Sequence, residues 1–238
     1  MFSQSAAWYD AIYEFIDYPA HAAAVLAAAR AVTPDAASLL DVACGTARHL
    51  ELLAAELPDR AGVDLEPGML EVARRRCPDV PFYQADMRDF DLGRRFDVVT
   101  CLFSSIGYVG TTGGLRQAVA SMARHLNPGG VLVVEPWLQP DAWRDNIRQV
   151  KVAEQDDTTI VRLVASRRQG SLSILDMHYL VGEDGRVVHR AERHELALFT
   201  WAQYVEAFAA AGLDATVDQR GPLGRGLVTG TRRAGPAV

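Results

Sequence analysis

Between Ser38 and about Pro136 the chain alternates short apolar runs with segments of helical spacing, and no other feature restricts its fold as much. Ser38–Val42 reads as a strand, Arg48–Leu57 as a helix, Ala61–Leu65 as a strand, and Pro67–Arg76 as a helix with proline in its first turn. Phe82–Gln84 is a brief strand. The run FDVVTCLF, from Phe96 to Phe103, is apolar on both faces after its aspartate, as a buried parallel strand must be. An amphipathic helix over Gly114–Leu126 and a buried strand over Val131–Glu135 follow. Strands alternating with helices predict an α/β fold, an open parallel sheet with helices on both faces.

The pattern changes after Trp137. TTIVRLVASRRQGSLSILDMHYLV alternates apolar and polar residues, with a turn at Gln169-Gly170, a second turn at GEDG and a further strand over Arg186–Phe199. This predicts an antiparallel β insertion, bounded as residues 138–199, set into a core made of residues 1–137 and 200–238. The core resumes with a helix over Trp201–Ala211 and two closing strands, near Ala215–Gln219 and Leu227–Thr231. Insertions beyond the carboxyl ends of parallel strands build the substrate side of many sites. Open edges in such an insertion also invite pairing in a homodimer.

With 238 residues, 49% of them hydrophobic, the chain suffices for one domain with a sizeable core. A net charge of -6 argues against a nucleic-acid footprint. The one triple basic run, Arg74-Arg75-Arg76, reads as a solvated helix face. Cys44, Cys77 and Cys101 are odd in number and widely spaced, giving no disulfide framework and no metal site. The segment Ala20–Val32 is apolar but too short to span a bilayer, and no signal peptide is apparent. The expectation is a cytoplasmic protein with no membrane partner.

In an open α/β sheet the ligand sits at the carboxyl ends of the strands, near the change in strand order. Asp41–Ala47 is the first strand-to-helix turn, and it lacks both the GxGxxG and the Gly-Lys-Ser/Thr patterns that cradle phosphates. A phosphate-free nucleoside ligand remains compatible. Asp64, in GVDLEPGML, follows Gly45 by 19 residues, at a strand end where a carboxylate can accept from both hydroxyls of a ribose. QADMRDF places Asp86 and Met87 on the next exit loop, a carboxylate for an exocyclic amine and a soft side chain for a base.

LLDVACGTARHL, GVDLEPGML, ADMRDF, FDVVTCLFSSIGY and HLNPGGVLVVEPW together resemble the class I S-adenosylmethionine-dependent methyltransferases over about Ser38–Trp137. DMRDF, GRRFD, FSSIG, HYLV, LFTWAQY and GPLGRGL carry the likeness nearly end to end, toward the dTDP-amino-sugar N-methyltransferases of the desosamine and mycaminose type. The resemblance implies a Rossmann-like sheet, S-adenosylmethionine as cofactor and a dTDP-amino sugar as acceptor. It implies cofactor contacts at Asp41, Ala43, Gly45, Asp64, Leu65 and Met69, and further along at Asp86, Met87 and Cys101. An N-terminal aromatic lid, WYDAIYEFIDY, would add Tyr9 and Tyr18 to the cofactor and Tyr13 to the acceptor. Trp137, Tyr179 and Arg225 are the other acceptor-side candidates, with the Arg225 guanidinium suited to a diphosphate. Tyr108 and Glu135 are the candidate catalytic residues.

Two positions depart from the resemblance. Ala47 replaces a glycine, which is tolerable where φ is negative. Tyr108 stands where a histidine is expected, and tyrosine is a poor base at neutral pH. That leaves proximity as the main catalytic device, and keeps open a non-nucleotide amine or phenol as acceptor. Ala47 leaves open a non-catalytic cofactor-binding protein. His49 reads as a helix-surface residue; His189 and His194, five apart on a strand, face opposite sides and hold no metal.

Overall fold

A computed structural model of the protein describes residues 5–232. Seven strands form one sheet in the order β10-β11-β5-β4-β1-β2-β3. In chain order these are β1 (Ser38–Val42), β2 (Asp59–Asp64), β3 (Phe82–Gln84), β4 (Phe96–Cys101), β5 (Leu126–Val134), β10 (Leu213–Asp218) and β11 (Leu227–Arg232). β1 to β5 run parallel, and β11 and β10 close the edge antiparallel. Strand order reverses at β1, which lies between β2 and β4 and is buried at all five residues. The crevice above its carboxyl end is therefore the place for a ligand.

Helices cover both faces. α2 (Tyr18–Arg30), α3 (Arg48–Leu52) and α4 (Pro67–Arg76) bury Val25, Leu50 and Leu70 against one face. α5 (Thr112–Arg124) and α6 (Trp201–Ala210) bury Leu115, Met122, Tyr204 and Phe208 against the other. The sequence carries the start signals. Asp17 accepts from the Ala20 N–H at 2.9 Å with Pro19 in the first turn of α2, and Thr200 with Gln203 forms a capping box on α6.

Several boundaries shift. β4 stops at Cys101 rather than Phe103, because Phe103 and Ser104 adopt left-handed φ values of 51° and 62°. β5 begins at Leu126 instead of Val131, drawing NPGG into the strand across an irregular register with β4. The insertion holds four strands, one more than the sequence pattern resolves: β6 (Arg148–Gln155), β7 (Thr158–Gln169), β8 (Leu172–Glu183) and β9 (Arg186–Ala197). β6 lies at the sheet edge and has no buried residue; its alternation is confined to Val150 and Val152, too short a run among charged and polar residues to mark a strand.

The two faces of the insertion differ. Cross-strand pairing places Val150, Val152, Leu163, Leu180 and Val187 on the outer face, where all five are exposed. The inner face packs Ile160, Val164, Met177, Tyr179 and Val181 against Ile12, Trp8 and Tyr13 of the N-terminal segment. That segment is a 3-10 turn (Ala6–Trp8) followed by the single turn α1 (Tyr9–Ile12). Arg76 fastens it to the core: its guanidinium donates to Asp10 at 2.5 Å and to the Thr46 carbonyl at 2.6 Å, while the Thr46 hydroxyl donates to Asp10 at 2.7 Å. Arg76 thus staples the N-terminal segment to the β1 turn and is not part of a solvated face. Arg75 does face solvent, paired with Glu71.

Candidate active site

Two cavities meet at the carboxyl ends of β1 and β4. Tyr9, Phe103, Ser105 and Tyr108 line both. The first cavity is walled by the β1 turn, the end of β2 and the β3 exit loop. Tyr9, Tyr18, Asp41, Ala43, Gly45, Asp64, Leu65, Met69, Asp86 and Met87, residues the resemblance implies on the cofactor side, all line it. Cys101 does not; it is fully buried among Leu40, Val42 and Val134, and Leu102 and Phe103 reach the cavity instead. β4 points alternate residues to opposite faces, and Cys101 falls on the core side.

The turn owes its shape to left-handed backbone at Ala43, Gly45 and Ala47, with φ of 59°, 54° and 64°. The negative φ that would suit Ala47 does not form. The strain, roughly 1–2 kcal/mol, is offset by burial of its methyl group, which is fully buried beside Leu39 and Leu50 and points away from the cavity. Gly45 has open space where a Cβ would project. Across from it the Asp64 carboxylate accepts from the Gly45 N–H and from the Glu66 N–H, each at 2.8 Å. The carboxylate keeps some further acceptor capacity, and Asp64 lines the cavity. Burial raises the Asp64 pKa. Asp41, buried and accepting from the Thr100 hydroxyl at 2.7 Å, is pushed up by burial to about 7. Asp86 is gripped by Arg88 through Nε and Nη2, and that hydrogen bonding lowers its pKa.

The side of this cavity formed by α2 and α3 offers polar groups of its own. Tyr18 is buried with its hydroxyl unpartnered, and Arg48 lies over the Tyr18 ring at 4.8 Å with an unpartnered Nε. Both line the cavity. A ligand with a diol at one end and a carboxylate at the other satisfies this donor and acceptor set, which is the chemistry of S-adenosylmethionine. His49, expected on a helix surface, is buried here and bonded to His21 at 2.8 Å; burial lowers its pKa to about 3.

The second cavity lies under the inner face of the insertion. Tyr13, Trp137 and Arg225 line it. Arg225 lies over the Trp137 ring at 4.8 Å and donates to the Ser104 hydroxyl at 3.1 Å. Arg144 and Arg162 join it, and no carboxylate lines this cavity among the described residues. Arg162 is 5% exposed, sits 4.9 Å from the centre of the Tyr13 ring, and leaves Nε and Nη1 without partners. The sequence reading misses it, although its place on the inner face follows from strand alternation. Two other candidates move out of the site. Tyr179 is buried in the insertion core with its hydroxyl on Met177 Sδ at 3.4 Å. Glu135 is fully buried, accepts from the Phe103 N–H at 2.7 Å and lies 3.4 Å from His21; it shapes the loop and lines neither cavity.

Residues 39–130 match the family model described as a methyltransferase domain. The dTDP-3-amino-3,4,6-trideoxy-alpha-D-glucopyranose N,N-dimethyltransferase of Streptomyces venezuelae is 46% identical over 90% of this chain and 91% of its own length. The chain belongs to the sugar N-methyltransferase family. Its members include a dTDP-4-amino-2,3,4,6-tetradeoxy-D-glucose N,N-dimethyltransferase of Saccharopolyspora spinosa, 43% identical over 94% of this chain and 91% of that one. The crystal structure of Streptomyces venezuelae DesVI superposes with a TM-score of 0.90 at 45% identity, covering 95% of this chain and 98% of that one. CalS10, an amino pentose methyltransferase from Micromonospora echinaspora solved with S-adenosylmethionine bound, superposes with a TM-score of 0.85 at 41% identity, covering 94% and 96%. As a sugar N-methyltransferase family member the chain is an S-adenosylmethionine-dependent enzyme, and the first cavity is the site whose chemistry fits that cofactor.

Proposed function

We propose that this enzyme methylates the amino group of a dTDP-linked amino sugar, with the sugar amine at the junction of the two cavities and the nucleotide under the insertion. The observation that carries the reading is the charge of the second cavity: Arg144, Arg162 and Arg225 line it, with no carboxylate among its described walls. A diphosphate supplies the matching charge, and guanidinium groups hold phosphate oxygens in paired bonds. A free amine or a phenol has nothing for three guanidinium groups to hold. The relatives' named substrates are of this class.

When bound, S-adenosylmethionine supplies a methyl group on an electrophilic sulfonium. Asp64 accepts the ribose hydroxyls, Leu65, Met69 and Met87 pack on the base, and Tyr18 and Arg48 take the amino-acid end. Asp41, Ala43 and Gly45 shape the turn beneath it. Asp86, already engaged by Arg88, keeps little acceptor capacity for an adenine amine. Tyr9 and Tyr13, with ring centroids 4.6 Å apart, close over the junction and exclude water. Trp137 and Arg225 would hold the acceptor with its nitrogen at the junction, where proximity and orientation supply much of the rate. Segment 138–199 is the substrate side of the molecule, and its exposed apolar outer face is the surface through which two copies pair. The three cysteines are free thiols, which suits a reducing cytoplasm.

The test is to incubate the purified enzyme with S-adenosylmethionine and either a dTDP-amino sugar or the same sugar without its nucleotide, and to weigh the products. Gain of methyl mass by the nucleotide-linked sugar, lost with Arg225→Ala through a KM raised at least about tenfold, is the expected result. Equal turnover of both sugars by wild type and variant would overturn the nucleotide assignment.

A further inference from the structure

The inner face of the insertion carries a hydrogen-bonded chain that begins at the cavity junction. The Tyr108 hydroxyl lies 2.7 Å from His194 Nδ1. His194 Nε2 lies 3.4 Å from a Glu192 carboxylate oxygen, and Glu192 also accepts from the Ser5 hydroxyl at 2.8 Å and the Ser5 N–H at 3.2 Å. Glu192 and His194 share a face because they are two apart on β9, and both are buried. A carboxylate only accepts, so the neutral imidazole carries its hydrogen on Nε2 and offers the Nδ1 lone pair to the Tyr108 O–H. Gly107 makes the approach feasible: a Cβ there would come within 3.1 Å of Leu196, one turn of the strand pleat from His194.

Nothing in sequence spacing joins these residues, since 86 positions separate Tyr108 from His194. A tyrosine that needed only to pack at the junction would not require a buried imidazole and carboxylate behind it. The reaction supplies a use. An alkylamine is protonated at neutral pH, and its nitrogen has no lone pair to attack with until that proton leaves. Methylation then yields another ammonium, which must lose a proton before any second methyl can be added.

We propose that Tyr108, His194 and Glu192 form the proton exit for the acceptor ammonium, Tyr108 touching the substrate and His194 with Glu192 acting through it. The inference rests on the amine-acceptor reading above. The ammonium N–H bond breaks, its electron pair stays on nitrogen, and the proton passes to the Tyr108 oxygen. In the same event the Tyr108 hydroxyl proton passes to His194 Nδ1. Tyrosine ends neutral, the amine ends neutral, and the imidazolium is held by the Glu192 carboxylate. Burial pushes the Tyr108 hydroxyl well above its ordinary range, so a tyrosine acting alone as phenolate is the costlier route. The titratable and charged groups around the chain are Tyr9 and Tyr13 from the lid, Tyr179, Arg162 and Glu192 from the insertion, and Asp64 from the sheet.

His194→Asn tests this, because an amide can still bond the Tyr108 hydroxyl but cannot take up a proton. kcat/KM for a dTDP-amino sugar is measured from about pH 6.5 to about pH 9.5, with melting temperature and cofactor affinity as controls. The variant should lose about tenfold or more at pH 7, and the gap should narrow steadily toward the alkaline end, where solvent removes the proton from a growing share of the amine. Tyr108→Phe and Glu192→Gln should show losses that shrink in the same direction, and they decide the matter if His194→Asn does not fold. A loss of equal size at every pH, or no loss, overturns the proton exit while leaving the functional reading intact. A wild-type enzyme that methylates no amine overturns the functional reading, and the exit with it.

Discussion

Arg162→Met should raise the KM for a nucleotide-linked acceptor by about a hundredfold without weakening the fold. The side chain is 5% exposed, and its Nε and Nη1 have no hydrogen-bond partner among the described residues. Its guanidinium lies 4.9 Å from the centre of the Tyr13 ring, a contact worth about 1–2 kcal/mol at most for a desolvated cation on an aromatic ring. That contact does not fully offset burial of an unpaired charge. Two open N–H groups, each worth about 1.5 kcal/mol or more against a phosphate oxygen, give roughly 3 kcal/mol of binding, or two factors of ten. Methionine keeps the apolar stem and fills the space against Val164 and Tyr13, so the melting temperature should hold or rise. Steady-state kinetics with the nucleotide-linked sugar and thermal unfolding read the two effects. Cofactor affinity should not change, because Arg162 lines only the second cavity. An unchanged KM, or a loss of stability above about 1 kcal/mol, would refute the view that this guanidinium waits for an anion.

Asp64→Ala should weaken S-adenosylmethionine binding by about 1–3 kcal/mol in calorimetric titration, since the carboxylate also anchors the Gly45 and Glu66 amides; unchanged affinity would remove it from the site. Asp41 has its pKa raised from 3.8 to about 7 by burial, so between those values the folded state holds a proton that the unfolded state has lost. Stability therefore falls as pH rises from about 4 to about 7, by on the order of 4 kcal/mol, and Asp41→Asn should flatten that slope in denaturant melts at successive pH values. Arg76→Gln breaks the staple between the lid and the β1 turn; it should raise the cofactor Kd several-fold and speed proteolysis near Asp10, with no shift in the acceptor KM once cofactor is saturating.

Much of the cofactor side is legible in the sequence because it is local. Asp41, Asp64 and Asp86 each follow a short apolar run at the same point in successive units, and a parallel sheet aligns such strand ends along one edge. The misassignments come from residues one step away. Cys101 and Glu135 sit at the right strand ends but on the buried side, and Tyr179 has the right chemistry on a face already filled by the lid. His49 and Arg76 look like surface residues in a helical pattern, until packing of α2 buries the first and Asp10 of the N-terminal segment recruits the second.

The sequence by itself determines the alternation of strands and helices in the core, the glycine-containing turn, the carboxylate at the end of β2 and the presence of an antiparallel insertion, because each is written in a local run of residues. Only the tertiary structure decides which residues line the second cavity. Arg144, Arg162 and Arg225 come from separate segments and meet in one cavity. Tyr108, from the turn after β4, meets His194 and Glu192 when β9 is laid against it across the close approach at Gly107. Those meetings are set by how one sheet packs on the edge of another, and side-chain direction in a strand carries no information about its neighbour until that neighbour is in place.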